Sequence, residues 1–232
     1  VSSKSEGQLP NVIFETLYQQ AIKKPLYNIK KQRTIRETIR LGDCVGRNIS
    51  FQSEDLRRFL QSIEELDLIQ GFKEYLSFGG LRFNLGFGGI HSQDSPGSFY
   101  SNKDYLIIDC DVTSFYPNIV LLNNIRPEHI SPKFLDIFKG LIKQRMEAKK
   151  KGDTATADVL KIAINAVFGK LGNPDYWLYD LKSFYSVTIS GQLYLLSLVE
   201  FLTLKGIEVI SANTDGVTCK VKRYKESDYY QA

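Results

Sequence analysis

The stretch Leu106-Ile107-Ile108-Asp109-Cys110-Asp111 constrains this chain more than any other. Three apolar residues run straight into two acids spaced two apart. A short apolar run of this kind reads as a buried strand that delivers its polar residues to the strand's carboxyl end. Side chains alternate along a strand, so Asp109 and Asp111 share one face and Cys110 takes the other. A turn containing Ser114, Tyr116 and Pro117 follows. Two acids at a strand end also suit a solvated turn, and the stretch alone leaves both readings open.

Composition narrows the classes. The 232 residues fit one large domain or two small ones, and 43% hydrophobic content is enough for a core. A net charge of +4 tolerates a polyanionic partner without demanding one. The charge is uneven: residues 139 to 152, KGLIKQRMEAKKKG, hold six Lys or Arg against one Glu. Cys44, Cys110 and Cys219, with His91 and His129, form no Cys-x-x-Cys and no His pair at ligand spacing. That argues against a zinc site and a disulfide scaffold and points to a reducing, cytoplasmic setting. No apolar run approaches 18 residues and no signal peptide is legible, so no membrane is expected. The chain opens at Val1 rather than Met, which suggests a piece of a longer protein.

Along the chain, residues 1 to 8 are polar and read as loose. Val12, Ile13, Leu17, Tyr18 and Ala21 recur at helical spacing, and Pro25 stops that helix. Ser53 suits an N-cap, followed by the apolar stripe Leu56, Phe59, Leu60, Ile63 and Leu66. Alternating Phe83, Leu85 and Phe87 among glycines predict a strand pair with tight turns. Pro132 opens a helix to about Lys151, Gly152-Asp153 breaks it, and a second helix runs from about Thr154 to Phe168. A helical hairpin with a basic tip is one outcome. Arg145 and Lys149 fall on one face of the first helix, and Lys161, Asn165 and Phe168 on one face of the second. Residues 185 to 205 predict a long apolar core helix ended by Gly206. Ile207–Ser211 and Val217–Val221 predict a hairpin whose turn holds Asn213, Thr214, Asp215 and Gly216.

Three of these stretches, in this order, resemble the motifs of the family B DNA polymerases. Asp111-Val112-Thr113-Ser114-Phe115-Tyr116-Pro117-Asn118-Ile119-Val120 is similar to motif A, an acid, two residues, then Ser-Leu-Tyr-Pro-Ser-Ile-Ile. Lys161, Asn165 and Gly169 fall in register with motif B, Lys, three residues, Asn-Ser, one residue, Tyr-Gly; Ala166 replaces the Ser and Phe168 the Tyr. Thr214 and Asp215 match motif C, Tyr-Gly-Asp-Thr-Asp-Ser, with Asn213 in place of its first acid and Gly216 in place of its Ser, a change that reads as loosening the turn. Gly88-Gly89 resembles, weakly, a Gly-Gly element ahead of motif A. The match spans residues 111 to 216, about half of the chain.

The resemblance implies an α+β fold: a palm with an antiparallel sheet backed by helices, plus a two-helix fingers hairpin. Residues 1–103 would be an N-terminal segment and part of the palm, 104–130 palm with motif A, 131–170 fingers with motif B, and 171–232 palm with motif C. Exonuclease and thumb regions are not recognisable, and without a thumb's phosphate contacts this piece alone is expected to bind duplex weakly and to extend primers poorly, if at all. The implied activity is two-metal, template-directed DNA synthesis from dNTPs on a primer–template, by a phage, plasmid or viral enzyme in the host cytoplasm. The remainder of the parent polymerase would be a partner. Asp111 and Asp215, with the backbone carbonyl of Val112, would hold two Mg²⁺, or Mn²⁺ in their place. Ser114, Phe115, Arg145, Lys149, Lys161 and Asn165 would bind the nucleotide, Lys161 would also assist the leaving pyrophosphate, and Tyr116 would exclude a 2′-hydroxyl. Gly88, Gly89, Phe168, Gly169, Asn213 and Thr214 would line the nucleic-acid side. Phosphoryl transfer needs such charge neutralisation and alignment. Two alternatives stand beside this reading: another templated polymerase such as a reverse transcriptase, which would share a palm but is opposed by the lack of adjacent paired acids in motif C and by the Lys-x-x-x-Asn spacing, and a degenerate palm serving as a nucleic-acid-binding or assembly module, which Asn213 favours.

Overall fold

The computed structural model describes residues 9–68, 72–93 and 96–231; the loose start expected at residues 1 to 8 lies outside them. In chain order the elements are α1 (Leu9–Ile22), β1 (Ile39–Arg40), α2 (Glu54–Glu64), β2 (Asp67–Leu68), β3 (Glu74–Phe78), β4 (Leu81–Leu85), β5 (His91–Gln93), β6 (Tyr105–Asp111), α3 (Phe115–Leu122), α4 (Lys133–Lys150), α5 (Thr154–Leu171), α6 (Leu181–Leu204), β7 (Glu208–Asn213), β8 (Gly216–Lys222) and α7 (Glu226–Tyr230). β1 and β2 form a small antiparallel pair. The other six strands form one antiparallel sheet in the order β3-β4-β5-β7-β8-β6. The fold is α+β, as the sequence predicts. The chain divides into two compact units, Val1–Glu37 with Tyr116–Phe184, and Thr38–Phe115 with Tyr185–Ala232.

The first unit is helical. α4 and α5 form the expected hairpin: Phe134, Phe138 and Leu141 bury one side of α4, and Leu160, Ala163, Ile164 and Val167 one side of α5. Gly152 turns the chain at φ +73°, and Asp153 caps α5 by accepting the Thr156 N–H at 3.0 Å. α1 packs on both helices. Its Phe14 meets Phe134 edge-on at 5.3 Å between ring centres, and its Tyr18 lies 5.5 Å from Trp177. The basic stretch after α1 is partly consumed internally. Arg33 donates to the carbonyls of Pro174 and Asp175, and Arg36 pairs with Glu128 and Asp180. His129 bridges Trp177 O (2.8 Å) and Thr34 Oγ1 (2.6 Å). A carbonyl can only accept, so Nε2 carries the proton and the Thr34 hydroxyl donates to Nδ1. Asp180 precedes α6 and is 2% exposed; its carboxylate accepts the N–H groups of Glu128, Lys182 and Ser183 and the Ser183 hydroxyl.

The second unit is built on the six-stranded sheet. One face is apolar: Phe83, Leu85, Val209, Ala212, Val217, Cys219 and Val221 are buried. The Phe, Leu and Val side chains among them contribute about 1.5–3 kcal/mol each by leaving water. The other face carries Arg82, His91, Asn213, Thr218 and Lys222 and stays open or half-open. Gly79 (φ +60°) and Gly80 (φ +84°) make the β3–β4 turn, where two consecutive positive φ values match the twist of a hairpin. α6 backs the sheet. Its Gln192 side-chain amide brackets Gly86, donating to the carbonyl at 2.8 Å and accepting the N–H at 3.0 Å.

Several expectations need correction. β6 is the edge strand, so Leu106, Ile107 and Ile108 are half-buried rather than fully buried. The turn after the acids is confined to Thr113 and Ser114; Tyr116 and Pro117 already belong to α3, whose first turn accommodates a proline. Ser53 stands at the N-cap of α2 but gives its hydroxyl to Glu200 instead of capping the helix. Glu200, 3% exposed, supplies the cap, accepting the Gln52 and Ser53 N–H groups at 2.7–3.0 Å. α6 begins at Leu181, earlier than expected, because Asp180 caps it. Finally, α6 is by length and composition apolar enough to cross a membrane, with mean hydropathy 1.5 over 18 residues. Its window is 67% buried inside the protein, and Thr188, Ser190, Gln192 and Glu200 are buried along it, as suits a core helix.

Candidate active site

Strand register brings Asp111 and Asp215 to one place. β6 and β8 pair along their full lengths, from Tyr105 opposite Lys222 to Asp111 opposite Gly216. One residue beyond, the Val112 N–H donates to the Asp215 carbonyl at 2.8 Å. The β7–β8 turn is two residues long, Thr214 and Asp215, and Thr214 takes φ +55°. Ser114, just past the other acid, takes φ +53°. Both departures from right-handed backbone lie beside the acids. They cost free energy of about 1–3 kcal/mol each and persist only where surrounding bonds fix them. One such bond is visible: the Thr214 N–H donates to the Ile90 carbonyl at 2.8 Å. Gly89 permits that approach, since a Cβ there would stand 2.7 Å from Thr214 Oγ1. At Gly88 an added Cβ meets nothing within 4 Å, so the protein's own packing does not demand that glycine.

A bulge sets which residues face the acids. Val209 pairs with Cys219, but Ser211 pairs with Thr218, leaving Ile210 as an extra residue in β7. The bulge switches parity, so Ser211 and Asn213 join Asp109, Asp111, Gly216 and Thr218 on the open face. With Thr214 and Asp215 these residues line a cavity of about 390 Å³. Asp109 is tied down by the Thr218 hydroxyl at 2.7 Å. Asp111 and Asp215 are exposed, and among the described residues no hydrogen-bond donor pairs with either carboxylate. On the opposite face, burial pushes the Cys219 thiol up to about 12 and raises the Tyr229 hydroxyl well above its ordinary value.

The donor set suits a hard divalent cation. Among the described residues no group of three or more His, Cys, Asp and Glu could hold a metal. Two carboxylates, backbone carbonyls and hydroxyls remain, and Mg²⁺ needs only one or two carboxylates when a substrate phosphate completes its shell.

The remaining candidates lie in the helical unit. Lys149, Lys161, Asn165 and Gly169 are exposed, and Arg145 is half-buried. Lys161, Asn165 and Gly169 follow at i, i+4 and i+8 along one exposed face of α5. Tyr116 lies 4.9 Å from Phe168 between ring centres, and Phe168 stacks on Phe184 at 5.1 Å and 14°. Lys170 is held below its usual range by burial, with Glu15 opposing the shift.

No family model matches the chain. A curated relative, DNA polymerase II of Escherichia coli (strain K12), is 26% identical over 152 residues, covering 55% of this chain. The chain is similar to a DNA polymerase. The similarity supports the family B resemblance carried by the three motifs. The chain spans about a fifth of that relative, 19% of its length. A solved structure, the family B DNA polymerase from the hyperthermophilic archaeon Pyrobaculum calidifontis, is similar at 20% identity and TM-score 0.41, covering 61% of this chain and 26% of that one.

Three residues of these surroundings escape the sequence reading. Thr218 matters only because register sets it opposite Asp109, which spacing along one strand cannot reveal. Phe184 sits outside all three motifs, and only the stack on Phe168 singles it out. Gly216 reads as loosening a turn, yet it is the first residue of β8 and is buried, with no left-handed φ.

Proposed function

We propose that this chain is the palm-and-fingers piece of a family B DNA polymerase and catalyses template-directed transfer of nucleotides from dNTPs to a primer 3′ end. The observation that carries the reading is the β6–β8 register, which sets Asp111 beside the Asp215 turn at one end of the open sheet face. Asp111 and Asp215, with the Val112 carbonyl, would hold Mg²⁺, which when bound supplies charge neutralisation and alignment for phosphoryl transfer. The absence of any donor on these two carboxylates among the described residues supports that role, because their lone pairs are left for a cation.

Three cations of the helical unit suit the nucleotide of this reading. Arg145 offers a planar fork and Lys149 and Lys161 compact cations, all suited to triphosphate oxygens. Lys161 would also assist the departing pyrophosphate. Asn165 would contact the incoming nucleotide, and the N–H groups of Ser114 and Phe115 would bind its phosphates. Tyr116 would stand against C2′ of the sugar, where a 2′-hydroxyl finds no room. Gly169 fits an approach by nucleic acid, since an added Cβ there meets nothing of the protein within 4 Å. Primer–template DNA and dNTPs are the partners of this reading, and the cytoplasm its setting.

The test is Mg²⁺-dependent extension of a labelled primer on a DNA template by the 232-residue chain at high concentration. Asp111→Ala and Asp215→Ala run beside it. Weak extension by the unmodified chain that both substitutions abolish is the expected result. DNA binding without extension by this chain and by the longer parent polymerase, in Mg²⁺ and in Mn²⁺, would instead establish the non-catalytic module that Asn213 brings to mind.

A further inference from the structure

We propose that Gly216 is a positioning residue: its missing side chain admits the Asp111 carboxylate across the β6–β8 ladder, toward the turn that holds Asp215. The inference rests on the metal-binding role given to Asp111 above. Asp111 and Gly216 are cross-strand partners. A Cβ added to Gly216 would lie 2.1 Å from Asp111 Oδ1, 3.2 Å from the Cys110 carbonyl oxygen and 3.3 Å from Asp111 Cγ, so the carboxylate must move away while the carbonyl yields by a few tenths of an ångström. The carboxylate therefore occupies the volume that any other residue at 216 would fill.

The backbone does not explain this glycine. Gly79, Gly80, Gly152 and Gly206 have φ between +60° and +84°, and Gly216 is not among them. It is itself paired on both sides, with Asp111 in β6 and Asn213 in β7. What distinguishes the position is the oxygen lying over its Cα.

The consequence of adding a Cβ follows from what gives way. Ordinary contact at a Cβ begins near 3.4 Å, so Oδ1 would have to retreat from 2.1 Å by more than an ångström. Asp111 is exposed, and among the described residues no donor restrains its carboxylate. The side chain would turn to another staggered rotamer while the ladder stays in place. The fold would survive and the carboxylate would point elsewhere. Displacements near an ångström cost catalytic constellations about 100-fold. Asn213 sharpens the effect, because a turn lacking one acid leans harder on the placement of Asp111.

The experiment titrates Mn²⁺ into the 232-residue chain and reads free ion by electron paramagnetic resonance, with Tm measured on the same samples. The proteins are the unmodified chain, Gly216→Ala, Gly216→Ser, Asp111→Ala and the double variant Asp111→Ala/Gly216→Ala. We expect Gly216→Ala and Gly216→Ser to weaken Mn²⁺ binding about tenfold or more with Tm nearly unchanged. In the Asp111→Ala background, Gly216→Ala should change nothing further, since the displaced group is already gone. Glycine variants that bind Mn²⁺ like the unmodified chain, while Asp111→Ala does not, would overturn the positioning role and leave the metal role standing. Equal binding by the unmodified chain and Asp111→Ala would overturn the metal role itself. A large fall in Tm for both glycine variants, or additive losses in the double variant, would show a structural glycine and also overturn the proposal.

Discussion

The carboxylates at the end of β6 and in the turn before β8 and those just before and within α6 obey opposite rules. Asp180 and Glu200 are 2% and 3% exposed, and each takes several N–H or O–H donors. They neutralise helix N-termini and loop amides that burial would otherwise leave unpaired, a cost of about 1–3 kcal/mol per group. Asp111 and Asp215 sit in the open with no such donors among the described residues. Buried acids whose lone pairs accept protein hydrogen bonds hold the fold together. Acids whose lone pairs accept none, gathered by register on one face, are available for a ligand. The contrast separates structural from functional carboxylates without reference to any motif.

Substitutions test that division. Asp180→Ala should have the largest effect on stability, because it uncaps α6, leaves the Glu128 and Ser183 donors without their acceptor and removes one of the two partners of Arg36; we expect a loss of about 4 kcal/mol in denaturant unfolding. Glu200→Ala should cost about 3 kcal/mol, with Glu200→Gln recovering part of it by keeping an acceptor for Gln52 and Ser53. Asp111→Asn and Asp215→Asn should stay within about 0.5 kcal/mol of the unmodified chain while losing Mg²⁺-dependent primer extension. A destabilisation of either by as much as Glu200→Ala would break the division. The smallest effect is a pH dependence. Hydrogen bonds from Thr156, through its side chain and then its backbone N–H, hold the exposed Asp153 carboxyl below its usual value of 3.8. The stabilisation is present above 3.8 and is lost as pH falls through the folded value. Comparing Tm of the unmodified chain with Asp153→Asn down an acid series should show a difference that shrinks below that point.

The sequence makes local features legible and long-range ones only through motif order. The α4–α5 hairpin follows from Pro132, Gly152-Asp153 and the apolar spacing of Phe134, Phe138, Leu160 and Ile164, all within a few turns of one another. Asp111 and Asp215 can be paired from sequence only because three motifs occur in order; no periodicity links strands so far apart. The edge position of β6 was hidden for the same reason, since Leu106-Ile107-Ile108 looks identical in an edge and a central strand. Glu200 capping α2 was beyond reach, because the cap is supplied from a distant helix and Ser53 offers a plausible local one. Gly216 was misread because a glycine near a turn suggests freedom of backbone, whereas its use here is absence of volume.

The bulge at Ile210 fixes how this part of the chain can change length. Insertions in surface loops are tolerated cheaply, as loop closure grows slowly with length. Between Val209 and Gly216 the ladder itself does the counting. Ile210 stands outside the pairing, so its deletion would restore an unbroken ladder with Ser211 still opposite Thr218 and Asn213 still opposite Gly216 on the open face. Deleting Ala212 instead would carry Ser211 to the position opposite Val217, on the buried face. The strand thus has one expendable position, and it is the one that no partner reads.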